Sequence, residues 1–168
     1  KNIISEMIRV NHAGEYGAER IYKGQKAVLN NLPLSVEIDK MLNEESIHLQ
    51  VFNDLINKRR IRPTILSPVW HIGGYTMGLM TAMLGPKYTM ACTEAVEEII
   101  YEHYTRQAKF LENKDKELFD IVNKFAEEEK KHKEKAINHG TGNSLGHFLV
   151  KKGIKKITKV AIFLSKKF

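Results

Sequence analysis

A single cysteine, Cys92, stands among 168 residues, so no intrachain disulfide is available and a reducing compartment is the default. Four prolines and eleven glycines are too few for a collagen-like, linker-rich or disordered chain. No segment alternates apolar and polar residues with period two, which argues against half-buried strands. No basic n-region, apolar h-region and cleavage site open the chain, and Lys1 is not an initiator methionine, which leaves room for a removed targeting segment. Two further absences are local. Residues 63–86 contain no Lys, Arg, Asp or Glu, and residues 145–168 contain no acid.

What is present is a globular composition, 42% apolar and 28% charged, in a chain long enough to bury one core. A single domain over 1–168 is expected at roughly 100–200 residues per domain. The net charge of +7 asks for an anionic partner. Residues 1–144 hold 20 basic and 20 acidic side chains, so the whole excess comes from the seven lysines of 145–168.

Breakers at Leu32-Pro33-Leu34-Ser35, Arg62-Pro63 to Ser67-Pro68, Gly85-Pro86, Asn113-Lys114-Asp115 and Gly140-Thr141-Gly142-Asn143 divide the chain into segments of helical length. Apolar stripes of helical period run through Ile4, Ile8, Ala18, Tyr22 and Leu29, and through Ile38, Met41, Leu42, Phe52, Leu55 and Ile56. Two more run through Met90, Thr93, Ile100, Tyr101, Tyr104 and Leu111, and through Leu118, Ile121, Val122, Phe125 and Ala136. The expectation is an all-α protein with four long helices over 3–31, 35–58, 87–112 and 115–139, packed as a bundle. The uncharged stretch 63–86 has the length of a membrane span, but Pro68, His71, Gly73, Gly74 and Thr76 interrupt it. A buried or membrane-grazing helix is expected there, serving as the long crossover of a ferritin-like bundle.

Each of the four stripes contains a glutamate where a hydrophobe belongs. Glu15 is in phase with Ile8 and Tyr22, and Glu45 and His48 with Met41 and Phe52. Glu97 lies between Thr93 and Tyr101, and Glu129 and His132 continue the stripe of Val122 and Phe125. A buried carboxylate costs several kcal/mol unless positive charge sits beside it, and a pair of divalent metals supplies that charge. About one Glu-x-x-His is expected by chance in such a chain. Here a lone Glu is followed about 30 residues later by Glu-x-x-His, and the whole unit recurs. That is the inward-facing ligand set of ferritin-like di-iron or di-manganese bundles. Carboxylate and imidazole donors suit iron or manganese better than zinc, and four negative charges balance two divalent ions. Glu44, Glu98, Glu127 and Glu128 read as solvated. In the first helix the register also admits Glu19, one turn on, while Gly14 and Gly17 point to close helix approach around Glu15. His12, His71 and His139 read as supporting or surface groups.

The words Ile8-Arg9-Val10-Asn11-His12-Ala13-Gly14-Glu15-Tyr16-Gly17-Ala18, Met90-Ala91-Cys92-Thr93 and Val96-Glu97-Glu98, with the two Glu-x-x-His copies, resemble the demethoxyubiquinone hydroxylase family of ubiquinone biosynthesis. The resemblance covers essentially the full chain, including Arg62-Pro63-Thr64 and the basic C-terminal segment. It implies a ferritin-like fold whose di-iron ligands match Glu15, Glu45, His48, Glu97, Glu129 and His132, and a His-Tyr pair near the metal matching His103 and Tyr104. Asn11 stands where family members often carry Asp. The implied activity is that of a flavin-independent di-iron monooxygenase, inserting one atom of dioxygen into the ring of a demethoxyubiquinol and releasing the other as water. It implies an external reductant, with NADH the candidate, and a lipid-binding accessory partner. Tyr104 is expected to hydrogen-bond near the metal and His103 to assist electron or proton delivery.

Residues 145–168 place Leu149, Ile154, Ile157, Ala161, Leu164 and Phe168 at mostly three- and four-residue steps among the lysines. This predicts a basic amphipathic helix over 144–168 that binds anionic lipid, each nearby Lys contributing roughly 1 kcal/mol. Nucleic acid is disfavoured, since no aromatic interleaving or known motif accompanies the charge. A polyprenyl quinol must be collected at the bilayer. The expected location is therefore peripheral, at the cytoplasmic face of a bacterial inner membrane or the matrix face of the mitochondrial one. The competing reading is a ferritin-like iron-storage or metal-buffering bundle with the same six ligands, which has little use for such a tail.

Overall fold

A computed structural model describes residues 3–168. The described residues form six helices and no strand: α1 (Ile3–Leu29), α2 (Leu34–Lys58), α3 (Ser67–Met83), α4 (Pro86–Leu111), α5 (Lys116–His139) and α6 (Leu145–Lys167). All four long helices expected from the stripes form, within a few residues of the expected ends, as a ferritin-like bundle requires. The boundaries follow local chemistry. Proline opens α3 in its first turn, where the missing N–H costs nothing. Asp115 caps α5, accepting from the Leu118 N–H at 3.1 Å. Gly140, at φ +90°, ends it in a conformation that a side chain would resist.

Packing divides the chain into two compact units, Lys1–Thr89 with Lys159–Phe168, and Met90–Thr158. In the first, α1 and α2 bury Ile8, Tyr22 and Leu29 together with Ile38, Met41 and Phe52, all at most 1% exposed. Each such side chain contributes about 1.5–3 kcal/mol. The Tyr22 hydroxyl donates to Met41 Sδ across the pair at 3.7 Å.

Helix α3 lies against α1 backbone to backbone. A Cβ at Gly74 would sit 2.8 Å from the Gly17 carbonyl oxygen, and one at Gly78 would collide with the Ile21 carbonyl. Close approach is therefore real in this region, but the glycines that permit it are Gly24, Gly74 and Gly78. Gly14 and Gly17 have open space where a Cβ would go. With that seam buried, α3 exposes Val69, Ile72, Met80 and Met83. No described helix is long and apolar enough to cross a membrane.

In the second unit, α4 and α5 bury Met90, Ile99, Leu111, Leu118 and Val122 at 1% or less. The first part of α6 docks on α4 through two stacked ion pairs, Lys151 to Glu94 at 3.2 Å and Lys155 to Glu98 at 2.7 Å. Glu98, read from sequence as solvated, is thus tied to the tail. The apolar stripe of α6 also divides. Ile154 is 5% exposed, whereas Leu149, Ile157 and Phe168 are more than half exposed, alongside Leu145, Phe148 and Phe163.

Candidate metal centre

Helical period places all six sequence-selected residues in the interior. Glu15, Glu45, Glu129 and His132 are 0% exposed, Glu97 1% and His48 2%. Such burial of four carboxylates is rare unless cations accompany them. In the first unit, one ligand atom each from Glu15, Glu45 and His48 lies within 4.8 Å of the others. His48 Nδ1 is 3.5 Å from Glu15 Oε2 and 3.9 Å from Glu45 Oε2. In the second, Glu97, Glu129 and His132 meet the same 4.8 Å limit, with His132 Nδ1 3.1 Å from Glu129 Oε2.

The i, i+3 spacing does the local work in each unit, because residues three apart rise from one helix face. Both imidazoles turn Nδ1 toward carboxylate oxygens. Donors 3 to 4 Å apart can share one cation at the bond lengths of about 2.0–2.2 Å that imidazole and carboxylate make to a first-row divalent ion such as zinc. Each triad, two carboxylates and one imidazole, therefore fits an ion of the iron or manganese class in donor type, charge and spacing.

The other candidates fall where their partners put them. Glu44 and Glu127 are exposed. His12 Nε2 bonds Asn53 Oδ1 at 2.9 Å, tying α1 to α2. Burial holds this imidazole below its usual pKa, against a smaller upward push from Asn53. His71 Nδ1 and the Tyr16 hydroxyl share a hydrogen bond of 2.7 Å, and His139 is exposed. Asn11 is 2% exposed. Tyr104 is 1% exposed, its ring edge-on to Phe125 with centroids 6.4 Å apart. His103 Nε2 lies 2.8 Å from the Gln107 amide nitrogen.

Two further interior polar residues bear on the first unit. Gln25, 0% exposed, donates to the Thr89 carbonyl at 3.4 Å. Glu19, considered above as a substitute for Glu15, is 7% exposed and bound instead by Lys23, Arg20 and Ser46. The Glu19–Lys23 spacing of four was a legible signal for part of this; Ser46 offered none.

The family model "Ubiquinone biosynthesis protein COQ7" matches residues 2–165. The chain is 41% identical to the "NADPH-dependent 3-demethoxyubiquinone 3-hydroxylase, mitochondrial" of Rattus norvegicus over 169 residues, covering 98% of this chain and 78% of the relative. It is 39% identical over 166 residues to the "3-demethoxyubiquinol 3-hydroxylase" of Rhodospirillum rubrum, with 98% and 78% covered. The "5-demethoxyubiquinone hydroxylase, mitochondrial" of Saccharomyces cerevisiae is 36% identical over 177 residues, with 95% and 76% covered. With two buried carboxylate-imidazole triads, an all-helical fold and matches of this extent, the chain belongs to the ubiquinone biosynthesis protein COQ7 family.

Proposed function

We propose that this protein hydroxylates the ring of a demethoxyubiquinol with dioxygen, using two irons with Glu15, Glu45, His48, Glu97, Glu129 and His132 as ligands. The carrying observation is the burial of four carboxylates beside two imidazoles, in a chain of a family whose relatives are named as hydroxylases of this substrate. On this reading both compact units belong to one ferritin-like domain over 1–168. Two divalent ions balance the four carboxylates and remove the repulsion that otherwise opposes folding around them. When bound, the iron pair supplies the redox chemistry that splits dioxygen between ring hydroxyl and water.

The protein's own groups do the positioning. The i, i+3 pairs fix the imidazoles against the carboxylates. Tyr104, buried and braced by Phe125, is proposed to hold a hydrogen bond near the metal. His103, held by Gln107, is proposed to pass a proton or electron inward. The reductant is a reduced nicotinamide. NADPH, named for several relatives, takes precedence over the NADH that resemblance first suggested.

The substrate's insolubility places the reaction at a bilayer surface. The exposed Leu145, Phe148, Leu149, Ile157 and Phe163 of α6, among its lysines, support peripheral attachment to anionic lipid, on the cytoplasmic face in a bacterium or the matrix face in a mitochondrion. A lipid-binding accessory protein would help deliver the quinol. Storage of iron by the same ligands explains neither this surface nor the relatives' names. Anaerobic loading with ferrous ion tests the reading: two irons per chain are expected, and alanine at any of the six ligands should lower that number. Full loading of all six variants would overturn it.

A further inference from the structure

Glu19 is a second buried carboxylate one turn beyond Glu15, and the structure gives it a different set of partners. Its Oε1 accepts from Lys23 Nζ at 2.8 Å and from the Ser46 hydroxyl at 3.3 Å, and its Oε2 lies 3.5 Å from Arg20 Nη2. Ser46 shares its proton with the Leu42 carbonyl at 2.9 Å, and follows Glu45 directly in sequence. Glu19 therefore spans from α1, the helix of Glu15, to the turn of α2 that carries Glu45 and His48.

Two physical consequences follow. Like charges at i, i+4 on one helix face repel, so an uncompensated Glu19 would oppose the Glu15 carboxylate and compete for its metal. Lys23, in the favourable orientation C-terminal to its glutamate, together with Arg20, cancels that charge. The bond to Ser46 then fixes α1 against α2 at the level of the triad. The second half of the sequence repeat handles the equivalent point differently. Four residues after Glu97 stands Tyr101, with Lys133 Nζ 5.7 Å from its ring centroid. One triad is braced by a carboxylate clamp and the other lies beside a cation–π contact, so ions held there would meet unequal surroundings.

We infer that Glu19 is a positioning residue for a metal held by Glu15, Glu45 and His48: its carboxylate is engaged by Arg20, Lys23 and Ser46, and it sets that triad's geometry through Ser46. This rests on the proposed di-iron reading. Partners that orient metal-binding groups typically affect metal affinity by 10–100-fold.

The test is anaerobic titration of the full chain with ferrous ion, read by binding isotherm and by Mössbauer spectra of the isotopically enriched metal, on the wild type and on Glu19→Ala, Glu19→Gln and Ser46→Ala. Glu19→Ala and Ser46→Ala should each weaken one ion about tenfold and alter one of two quadrupole doublets more than the other. Glu19→Gln keeps an acceptor for Ser46 and should retain most of the affinity. Wild-type isotherms and spectra in both Glu19→Ala and Ser46→Ala, or equal changes in both doublets, would overturn the inference. Loss of one whole equivalent of iron in Glu19→Gln would make Glu19 a ligand and overturn it too. Should Glu19→Ala fail to fold, Ser46→Ala, at an exposed position, decides alone. A wild type that binds no iron pair contradicts the parent reading instead.

Discussion

His132 Nδ1 lies 3.1 Å from Glu129 Oε2, and both side chains are 0% exposed. A carboxylate in such a place is tolerated for what it binds rather than for what it contributes to packing. Glu129→Gln removes one buried charge while nearly preserving shape. The variant should lose less stability on chelation than the wild type does, because less like charge is left to repel in the emptied site, while binding less metal. Thermal melts with and without chelator check both halves.

Metal addition should stabilise the wild type by mass action. At free metal a hundredfold above its Kd, each site contributes about 2.7 kcal/mol. Scanning calorimetry across a metal series should show a melting temperature that climbs with concentration. A flat series would mean that neither triad binds.

The seam between α1 and α3 makes a sharp steric prediction. Gly78→Ala drives a methyl into the Ile21 carbonyl and should cost about 1–3 kcal/mol. Gly73→Ala, on the same helix with open space around its Cβ, should be neutral or stabilising by up to about 1 kcal/mol, because alanine is the better helix former. Equal effects from the two, measured by denaturant midpoint, would contradict the packing described.

His12 makes stability depend on pH. Burial lowers its pKa in the fold, so below its ordinary value of 6.5 the unfolded chain takes up the proton first. Stability from this group is therefore fully present above that value and falls as pH drops toward the folded pKa. His12→Gln should flatten that part of the stability profile, as urea melts at a series of pH values would show.

Helix α6 divides its lysines between two duties. Lys151 and Lys155 hold α4 through Glu94 and Glu98, whereas Lys152, Lys156 and Lys159 are exposed. Lys152→Glu with Lys156→Glu should weaken sedimentation with anionic vesicles in a salt-sensitive way. Lys151→Ala should weaken it less.

The reach of the sequence differs between parts of the molecule, for physical reasons. Period 3.6 exposes every interior position of a long helix, which is why Glu45, His48, Glu129 and His132 stand out against hydrophobic neighbours. The choice between Glu15 and Glu19 was not legible in the same way, because both lie on the buried face of α1. Only the cations at Arg20 and Lys23 and the reach of Ser46 separate them. The α6 stripe was legible as a basic amphipathic helix, but which of its residues become covered was not, because Glu94 and Glu98 on α4 make that choice by pairing with Lys151 and Lys155. Glycine placement shows the same limit: Gly14 and Gly17 marked the right region, but contact depends on which helix comes close, and that is a tertiary fact.

Turnover under heavy-isotope dioxygen tests the central claim most directly. The iron-loaded protein, given a demethoxyubiquinol, a reduced nicotinamide and labelled dioxygen, should yield a product whose mass has risen by one oxygen atom carrying the label. Two bound irons with no labelled product would contradict the account and return the protein to metal storage.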